Sequence, residues 1–303
     1  MGVAFSFRVA PVEETLSEVL GRAVKIVQAK GMAGGDSNKA LDLTLDDGTH
    51  IFMKANKREN APFFAAESEG LAAIARTGAI ATPRILGRTQ DGEPGGYACL
   101  LLEFVTAKER IARYFETFAC QLAAMHRAET AAFVPGGGYG FWQDNYIGAG
   151  PQCNTPHKSW ITFFRDCRLA PQIEAAAGCF STAERKKAIG LLDHIGDILV
   201  EPERPSLLHG DLWAGNVITG NDGKAWLIDP AVYVGHAEAD LAMTELFGGF
   251  PPRFYHAYEE AAPLQPGYER RRDMYHLYHL LNHLNLFGRS YLPAVQRILE
   301  EYS

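Results

Sequence analysis

Three polar side chains in the second half of the chain have the types and the spacing needed to activate a hydroxyl group and to hold a divalent cation. Asp211 and Asn216 belong to the segment 209–216 (HGDLWAGN), and Asp229 follows the strand-like residues 225–228. A carboxylate such as Asp211 can accept the proton of an attacking hydroxyl. An amide oxygen and a second carboxylate suit Mg²⁺, which prefers oxygen ligands. We therefore predict Asp211 as a catalytic base and Asn216 and Asp229 as metal ligands.

The order and spacing of these residues are those of the protein-kinase-like fold. That arrangement requires a lysine on an earlier strand and an acidic residue on the next helix. Lys54 lies inside the predicted strand 51–55, where a solvated lysine is not expected, and we predict that it binds the nucleotide phosphates. Glu67 on the following helix is its expected partner and Glu69 is the rival, because two residues that far apart on a helix cannot face the same way.

The other nucleotide contacts are predicted in two short segments. A glycine-rich loop, 30–39, lies between the first two predicted strands. Its backbone N–H groups at Gly34 and Gly35, together with the Ser37 hydroxyl, could cradle phosphates, although the loop lacks a G-x-G-x-x-G pattern. Glu103 and Val105 lie at the end of an apolar strand, in the position of a hinge whose backbone would hydrogen-bond an adenine.

The periodicity of the chain separates two regions. The first hundred residues read as short strands with two helices, and the turn at 46–48 (DDG) indicates a hairpin. The later residues are mostly helical, with predicted helices at 110–127 and 160–174 and a long, aromatic-rich loop at 130–157. We predict an α+β, two-lobed fold, with a small antiparallel-sheet N-lobe at residues 1–105 and a larger, mainly helical C-lobe at 106–303.

Composition excludes several classes of protein. The 303 residues carry a net charge of −7, which argues against a nucleic-acid partner because such proteins usually present a basic stripe. No apolar run approaches the ~20 residues of a membrane span, and no signal peptide is recognisable. Five cysteines without a CxxC spacing indicate reduced thiols rather than a disulfide framework or a zinc site. These features predict a cytoplasmic protein without a membrane partner.

Beyond these motifs, the sequence resembles the fructosamine (ketosamine) kinase family, within the aminoglycoside-phosphotransferase-like branch of the kinase fold. The resemblance extends over nearly the whole chain. It rests on the segments 140–148, 160–172, 209–216, 229–243, 245–250 and 275–288. Aminoglycoside and choline kinases share the catalytic residues but not, as a set, the last three of these segments.

The resemblance implies ATP-dependent phosphorylation of a sugar hydroxyl, typically O3, on an adduct formed when a reducing sugar condenses with an amine and rearranges. Phosphorylation makes the adduct unstable and frees the amine, which is a deglycation repair. The implied cofactors are ATP and Mg²⁺, and the implied partner is a small-molecule or protein-bound ketosamine. Trp213 and His283 would form the sugar site, because an aromatic face two residues from Asp211 can pack on the C–H face of a sugar. We expect a monomer or a weak homodimer.

Two other functions stay open. A kinase for another small alcohol, such as an aminoglycoside or a choline-like compound, would use the same catalytic residues. A polycationic acceptor needs a strongly acidic site, whereas Asp144, Asp240 and Glu245 are scattered along the sequence. A non-catalytic ATP-binding regulatory protein is disfavoured because the whole catalytic set is present.

Three further expectations concern residues around the predicted site. Asp240, among apolar neighbours, should brace the catalytic loop by hydrogen bonds. His276, His279 and His283 share one helical face, and we expect them to be buried or to face the substrate rather than to bind a metal. The charged run 269–273 (ERRRD) should be a solvated helix start.

Overall fold

The computed structural model describes residues 8–32, 38–92 and 96–302. The predicted phosphate-loop residues Gly34, Gly35 and Ser37 lie outside these ranges. Within them, none of the helices combines the length and the apolar character required to cross a membrane.

A five-stranded antiparallel sheet dominates the N-terminal region, with the strands in the order β1-β2-β3-β5-β4. These strands are β1 (Ile26–Met32), β2 (Lys39–Leu45), β3 (His50–Lys57), β4 (Ile85–Gln90) and β5 (Tyr97–Glu103). The turn predicted at 46–48 joins β2 to β3. β4 has no counterpart among the predicted strands. It is an edge strand in which only Leu86 is fully buried, so its sequence lacks an apolar alternation.

Two helices pack against this sheet. α1 (Val9–Leu20) buries Val12 and Leu16 and contacts β4, while α2 (Ala61–Arg76) contacts β4 and β5. Pro62 lies in the first turn of α2, where its missing N–H group would have no partner within the helix anyway. α2 carries the predicted acidic partner of the strand lysine.

The rest of the described chain is mainly helical, with three small antiparallel strand pairs. The helices are α3 (Tyr114–His126), α4 (Trp160–Phe164), α5 (Ala170–Ala175), α6 (Thr182–His194), α7 (Glu238–Leu246), α8 (Pro252–Ala261), α9 (Tyr268–Phe287) and α10 (Leu292–Tyr302). The pairs are β6 (Asn145–Ile147) with β7 (Gly150–Gln152), β8 (Ser206–Leu208) with β11 (Tyr233–Gly235), and β9 (Val217–Thr219) with β10 (Ala225–Leu227). The predicted α+β, two-lobed class is confirmed.

Two predicted helices have different bounds in the structure. The helix expected at 110–127 begins at Tyr114, because Arg113 adopts a left-handed backbone conformation with φ +57°. The helix expected at 160–174 is divided, since the π-helical stretch Arg165–Leu169 separates α4 from α5.

Buried apolar side chains of the described residues form one large cluster in the helical region and smaller clusters around the sheet. The large cluster includes Ala73 and Ile74, near the end of α2. α2 therefore packs against both the sheet and the helical region. The lobe boundary between residues 105 and 106 stays a prediction.

The middle of α2 approaches the chain that follows β10 very closely. A Cβ atom at Gly70 would lie 3.0 Å from Pro230 Cγ and 3.2 Å from Val232 Cγ2. This distance leaves no room for a larger side chain. The contact lies one helical turn from Glu67 and one residue from Asp229 along the chain.

We predict that Gly70→Val lowers the free energy of unfolding by about 1–3 kcal/mol, because the added methyl groups overpack this contact. Gly190→Val is the matched control: Gly190 also lies within a helix, α6, but its Cβ position faces open space. The control should stay within about 0.5 kcal/mol of the wild type, since valine has a slightly better helix propensity than glycine. Urea unfolding followed by circular dichroism measures both values. Equal shifts in the two variants would show that the contact does not restrict residue 70.

Candidate active site

The catalytic loop between β8 and β9 is held by His209, a buried residue with no role predicted from the sequence. His209 Nε2 donates a hydrogen bond to the carbonyl oxygen of Ile228 at 2.9 Å, and Nδ1 accepts one from the N–H group of Asp211 at 3.3 Å. Burial lowers the pKa of His209 in spite of the nearby Asp240 carboxylate, which favours a neutral ring. His209 therefore connects Asp211 to the residue that precedes Asp229.

Gly210 makes the turn between His209 and Asp211. It has φ +82°, and a Cβ atom at this position would lie 2.0 Å from the carbonyl oxygen of Ala231. The N–H group of Ala231 donates a hydrogen bond to the carbonyl oxygen of His209 at 2.8 Å. Only glycine fits here, because both the backbone conformation and the close approach exclude a side chain.

A buried carboxylate on α7 anchors the start of the catalytic loop. Asp240 accepts hydrogen bonds from the backbone N–H groups of His209 at 2.7 Å and Gly210 at 2.9 Å, and its Oδ2 lies 3.2 Å from His126 Nε2. His126 Nδ1 lies 2.6 Å from the Tyr258 hydroxyl. Burial would raise the pKa of Asp240, but His126 and the backbone donors outweigh it and lower the pKa. The predicted bracing of the loop by Asp240 is confirmed.

Asp211, which follows Gly210, contacts Asn216, the last residue of the loop. The amide nitrogen of Asn216 donates to the Asp211 carboxylate at 3.1 Å and to its backbone carbonyl at 2.8 Å. Burial raises the pKa of Asp211 to about 7; the hydrogen bond from Asn216 opposes this effect and the charge of Asp229 adds to it. A carboxylate with this pKa is a better proton acceptor than an ordinary aspartate.

Lys54 connects the sheet to two carboxylates. Its side chain on β3 is buried, and its ammonium group donates to Glu67 Oε1 at 2.7 Å and to the Asp229 carboxylate. Of the two rival acids on α2, Glu67 is therefore the one that Lys54 contacts. Asp229 has φ +54°, a conformation that is uncommon for residues other than glycine and that concentrates at functional sites.

This cluster has two carboxylates for one ammonium group. Burial would lower the pKa of Lys54, but the charges of Glu67 and Asp229 outweigh it and raise the pKa. Burial raises the pKa of Glu67 to about 7; the Lys54 charge opposes this effect and Asp229 adds to it.

Two side-chain oxygens near this cluster are available to a cation. The Asp229 side chain is 41% exposed. The amide nitrogen of Asn216 is hydrogen-bonded to Asp211, which leaves its oxygen free to bind a cation. This donor set fits Mg²⁺, which commonly takes one or two protein oxygens and completes its shell with phosphate oxygens.

The predicted hinge residues lie where β5 ends. The N–H group of Glu103 donates to the carbonyl oxygen of Arg84 at 2.9 Å, and Glu103 Oε1 accepts from the N–H group of Arg84 at 2.7 Å. Val105 follows two residues later and is half-buried. β5 pairs directly with β3, so the hinge belongs to the strand next to the one that carries Lys54.

Trp213 and His283 are connected through Phe247, which had no predicted role. The ring centroids of Trp213 and Phe247 lie 6.4 Å apart, and those of Phe247 and His283 lie 4.9 Å apart. The Trp213 indole packs over Gly215, where a Cβ atom would overlap the ring. His283 Nδ1 donates to the carbonyl oxygen of His279 at 2.7 Å, and burial lowers the His283 pKa in spite of this bond. In the neutral ring, Nε2 is then a hydrogen-bond acceptor.

Other residues of α9 have structural contacts. His276 Nε2 donates to a backbone carbonyl of α7 at 2.7 Å, and burial lowers the pKa of the buried His279 to about 3. In the part of the chain that the structure describes, no group of three or more His, Cys, Asp or Glu side chains could hold a metal ion.

The prediction of a solvated helix start at 269–273 is wrong for Arg271. This side chain is buried and pairs with Glu238 of α7 through hydrogen bonds of 2.6 and 2.8 Å, because α9 packs against α7 here.

A sheet with a lysine–glutamate pair, joined to a helical region whose short loop carries Asp211 and Asn216, defines a phosphotransferase of the protein-kinase-like fold. The family model described as fructosamine kinase matches residues 9–303. The chain therefore belongs to the fructosamine kinase family, and its activity is phosphotransfer to an alcohol acceptor.

Relatives match nearly the whole chain. The probable ketoamine kinase of Synechocystis sp. is 36% identical over 294 residues, which cover 96% of this chain and 95% of that protein. The chloroplastic protein-ribulosamine 3-kinase of Oryza sativa subsp. indica is 36% identical over 294 residues, 93% of this chain and 80% of the rice protein. A crystal structure from Haemophilus somnus, assigned as a fructosamine-3-kinase, has a TM-score of 0.85 at 29% identity and covers 97% of both chains.

We predict that Asp240→Asn lowers the free energy of unfolding by about 2–3 kcal/mol, because its amide cannot replace both charged acceptor oxygens. The wild-type carboxylate has a lowered pKa, so its contribution is complete above the ordinary aspartate pKa of about 4 and is lost as the pH falls through the lower folded-state value. The variant should lack this part of the acid dependence. Asp197→Asn, at a side chain that is 82% exposed, should change stability by less than about 0.5 kcal/mol. Urea titrations at several pH values test both expectations, and equal losses would remove Asp240 from its anchoring role.

Proposed function

We propose that this protein is an ATP-dependent kinase that phosphorylates a sugar hydroxyl, at O3, of ketosamines such as fructosamine or ribulosamine adducts, and so promotes deglycation. The observation that carries the proposal is the convergence of the catalytic set: Asn216 contacts Asp211, and Asp229 contacts Lys54. Asp211 is the base that accepts the proton of the acceptor hydroxyl as its oxygen attacks the γ-phosphorus. The names of the relatives, ketoamine kinase and ribulosamine 3-kinase, support the class of acceptor.

The nucleotide contacts in this proposal come from the sheet and its loops. Lys54 binds the α- and β-phosphates, and Glu67 holds the lysine in place through their 2.7 Å ion pair. The backbone of Glu103 and Val105, beside β3, hydrogen-bonds the adenine. Gly34, Gly35 and Ser37, between β1 and β2 in the sequence and outside the described residues, would supply backbone N–H and hydroxyl donors to the phosphates.

Asn216 and Asp229 hold Mg²⁺ in this proposal. The support is the chemistry of the residues: two carboxylates surround one ammonium group, and Asn216 is joined by a backbone hydrogen bond to Ile228, the residue before Asp229. Bound Mg²⁺ supplies positive charge to the phosphate oxygens. Asn216 has a second task, because its amide nitrogen fixes the Asp211 carboxylate while its oxygen serves the cation.

The acceptor sugar lies against Trp213 and His283 in this proposal. Trp213 is 38% exposed, and its indole offers a flat face to the C–H face of a sugar. His283 Nε2 can accept a hydrogen bond from a sugar hydroxyl, because Nδ1 is committed to a backbone carbonyl. Phe247 packs against both rings.

The acidic residues that a polycationic acceptor would need are already engaged. Asp240 is buried and accepts hydrogen bonds from the catalytic loop. Glu245 accepts from the Tyr268 hydroxyl at 2.6 Å and from Arg272 at 2.9 Å. Asp144 accepts from a backbone N–H group at 2.6 Å. The burial of Asp240 and the ion pair between Glu245 and Arg272 favour a sugar acceptor over an aminoglycoside or a choline-like compound.

We predict that Asp211→Asn lowers kcat by about 10²- to 10⁴-fold, because the amide has the same shape but cannot accept the proton. The Kd for ATP–Mg²⁺ should stay within about threefold of the wild type, since Asp211 does not contact the nucleotide in this proposal. Phosphotransfer from ATP to fructosyl-, ribulosyl- and erythrulosyl-amines measures the rate, and calorimetry measures binding. A variant that turns over like the wild type would overturn the catalytic assignment.

The same assay separates the competing functions. Aminoglycosides and choline serve as comparison acceptors, and phosphorus NMR of the product locates the phosphate. Transfer to a ketosamine at O3 is the expected result. Faster transfer to an aminoglycoside or to choline would contradict the proposed acceptor. Thermal stabilisation by ATP–Mg²⁺ without turnover of any acceptor would favour a non-catalytic ATP-binding protein instead.

We predict that Trp213→Ala raises the KM for the ketosamine about tenfold, the equivalent of about 1.4 kcal/mol of ring packing. The KM for ATP should change by less than about twofold. Trp213→Phe keeps a flat aromatic face and should recover part of the loss. If both variants bind the sugar as the wild type does, the indole does not belong to the acceptor site.

A further inference from the structure

Two thiols outside the catalytic set lie in contact with each other. The Sγ atoms of Cys153, after β7, and Cys167, in the π-helical stretch between α4 and α5, are 3.4 Å apart. Both cysteines are free; Cys153 is half-buried and Cys167 is buried. A disulfide has an S–S length of about 2.05 Å, so the two sulfurs would need to approach by roughly 1.4 Å.

We propose that Cys153 and Cys167 are a modification site, at which a low-molecular-weight disulfide oxidises the pair to an intramolecular disulfide that slows phosphotransfer. The ionised Cys153 thiolate attacks one sulfur of the oxidant RSSR, forms a mixed disulfide and releases RS⁻. The sulfur of Cys167 then attacks that of Cys153, loses its proton and releases the second RS⁻. Two protein thiols lose two electrons, and RSSR becomes two RSH after taking up the two protons.

The surroundings of the two thiols shift their pKa values in opposite directions. Burial opposes ionisation of Cys153, but its hydrogen bonds with Thr155 and Cys167 outweigh it and lower the pKa. Burial, with the neighbouring Cys153 sulfur, raises the pKa of Cys167 to about 12. The more exposed and more acidic thiol is therefore the attacking one. The Cys167 sulfur lies 3.6 Å from His157 Nε2, which can take its proton in the second step.

One guanidinium group connects the backbones of both cysteines. Arg168 Nη1 donates to the carbonyl oxygens of Cys153 at 2.5 Å and of Cys167 at 2.9 Å, and Nη2 donates to Asn154 Oδ1 at 2.7 Å. The guanidinium carbon lies 3.9 Å from the ring centroid of Tyr233, on β11. A movement of either cysteine therefore changes the contacts of Arg168.

The residues on each side of Cys153 support the chain that follows Asp229. Gln152 Nε2 donates to the carbonyl oxygen of Ala231 at 3.1 Å. Asn154 Nδ2 donates to Asn145 Oδ1 at 2.9 Å, and Asn145 Nδ2 donates to the carbonyl oxygen of Val232 at 2.7 Å. The N–H group of Ala231 in turn donates a hydrogen bond to the carbonyl oxygen of His209. Closing the S–S bond shifts the backbone between Gln152 and Asn154, and this loosens the support of the catalytic loop.

Oxidised glutathione is the probe. The full chain, reduced and freed of reductant, is incubated with it, and a peptide map should join Cys153 to Cys167. Hydrogen exchange at the His209 and Gly210 amides should become at least threefold faster, and kcat for the ketosamine should fall at least threefold. A dithiol reductant should restore both values. The effect on kcat rests on the proposed function, whereas the peptide map and the exchange rates do not.

Cys153→Ser and Cys167→Ser should each lose the cross-link and keep their kcat in the oxidant, while Cys120→Ser, at an exposed thiol on α3, should behave like the wild type. Cys167→Ala is the second variant if a serine at this buried position prevents folding. A peptide map without a disulfide between Cys153 and Cys167 overturns the proposal. A disulfide that leaves hydrogen exchange at the His209 and Gly210 amides unchanged overturns its proposed effect on the catalytic loop. A reduced protein without kinase activity contradicts the proposed function alone.

Discussion

The position of the catalytic loop depends on one buried carboxylate, Asp240. An ionised carboxylate removed from water is tolerated only when its oxygens accept enough hydrogen bonds. The backbone N–H groups of His209 and Gly210 and the ring of His126 supply them. The loop and α7 therefore hold each other, because separating them would leave a buried charge without partners. Tyr258 on α8 contacts His126 on α3, so three helices contribute to a position that lies one residue from Asp211.

A second constraint joins the sheet to the helical region. The buried Lys54 ammonium lies between Glu67 of α2 and Asp229 of the chain after β10, and backbone contacts hold these segments together. The N–H group of Leu227 donates to the carbonyl oxygen of Ala81 at 2.9 Å, and α2 packs on Pro230 at Gly70. Because the chain carries a net charge of −7, phosphate binding must use local positive charge. The cluster has one buried ammonium group and an excess of carboxylate, and in the proposed function a divalent cation would balance that excess.

Features that follow from residue type and short spacing could be predicted, whereas most features that depend on how distant elements pack could not. The spacing of Asp211 and Asn216 fixes their proximity, and the apolar neighbours of Asp240 indicate its burial. The predicted pairing of Lys54 with Glu67 rather than with the rival Glu69 is seen in the structure, where α2 turns Glu67 toward β3. His209 and Phe247 act through partners about 20 or more residues away. The burial of Arg271 could not be predicted, because it depends on how α9 packs against α7. A run of three arginines does not show which of them pairs with Glu238.

In the proposed function, the acceptor sugar meets an aromatic surface formed by Trp213, Phe247 and His283. The carboxylates that could attract a polycation, Asp144, Asp240 and Glu245, each accept hydrogen bonds from the protein. His283 is held as a neutral acceptor, because its Nδ1 is bound to a carbonyl and burial lowers its pKa. Trp213 belongs to the same short loop as Asp211, and its indole is seated on Gly215. In the proposed function, the distance between the base and the sugar is therefore fixed by a few residues of one loop. Selection of a sugar hydroxyl and its deprotonation then depend on the same hydrogen bonds to Asp240.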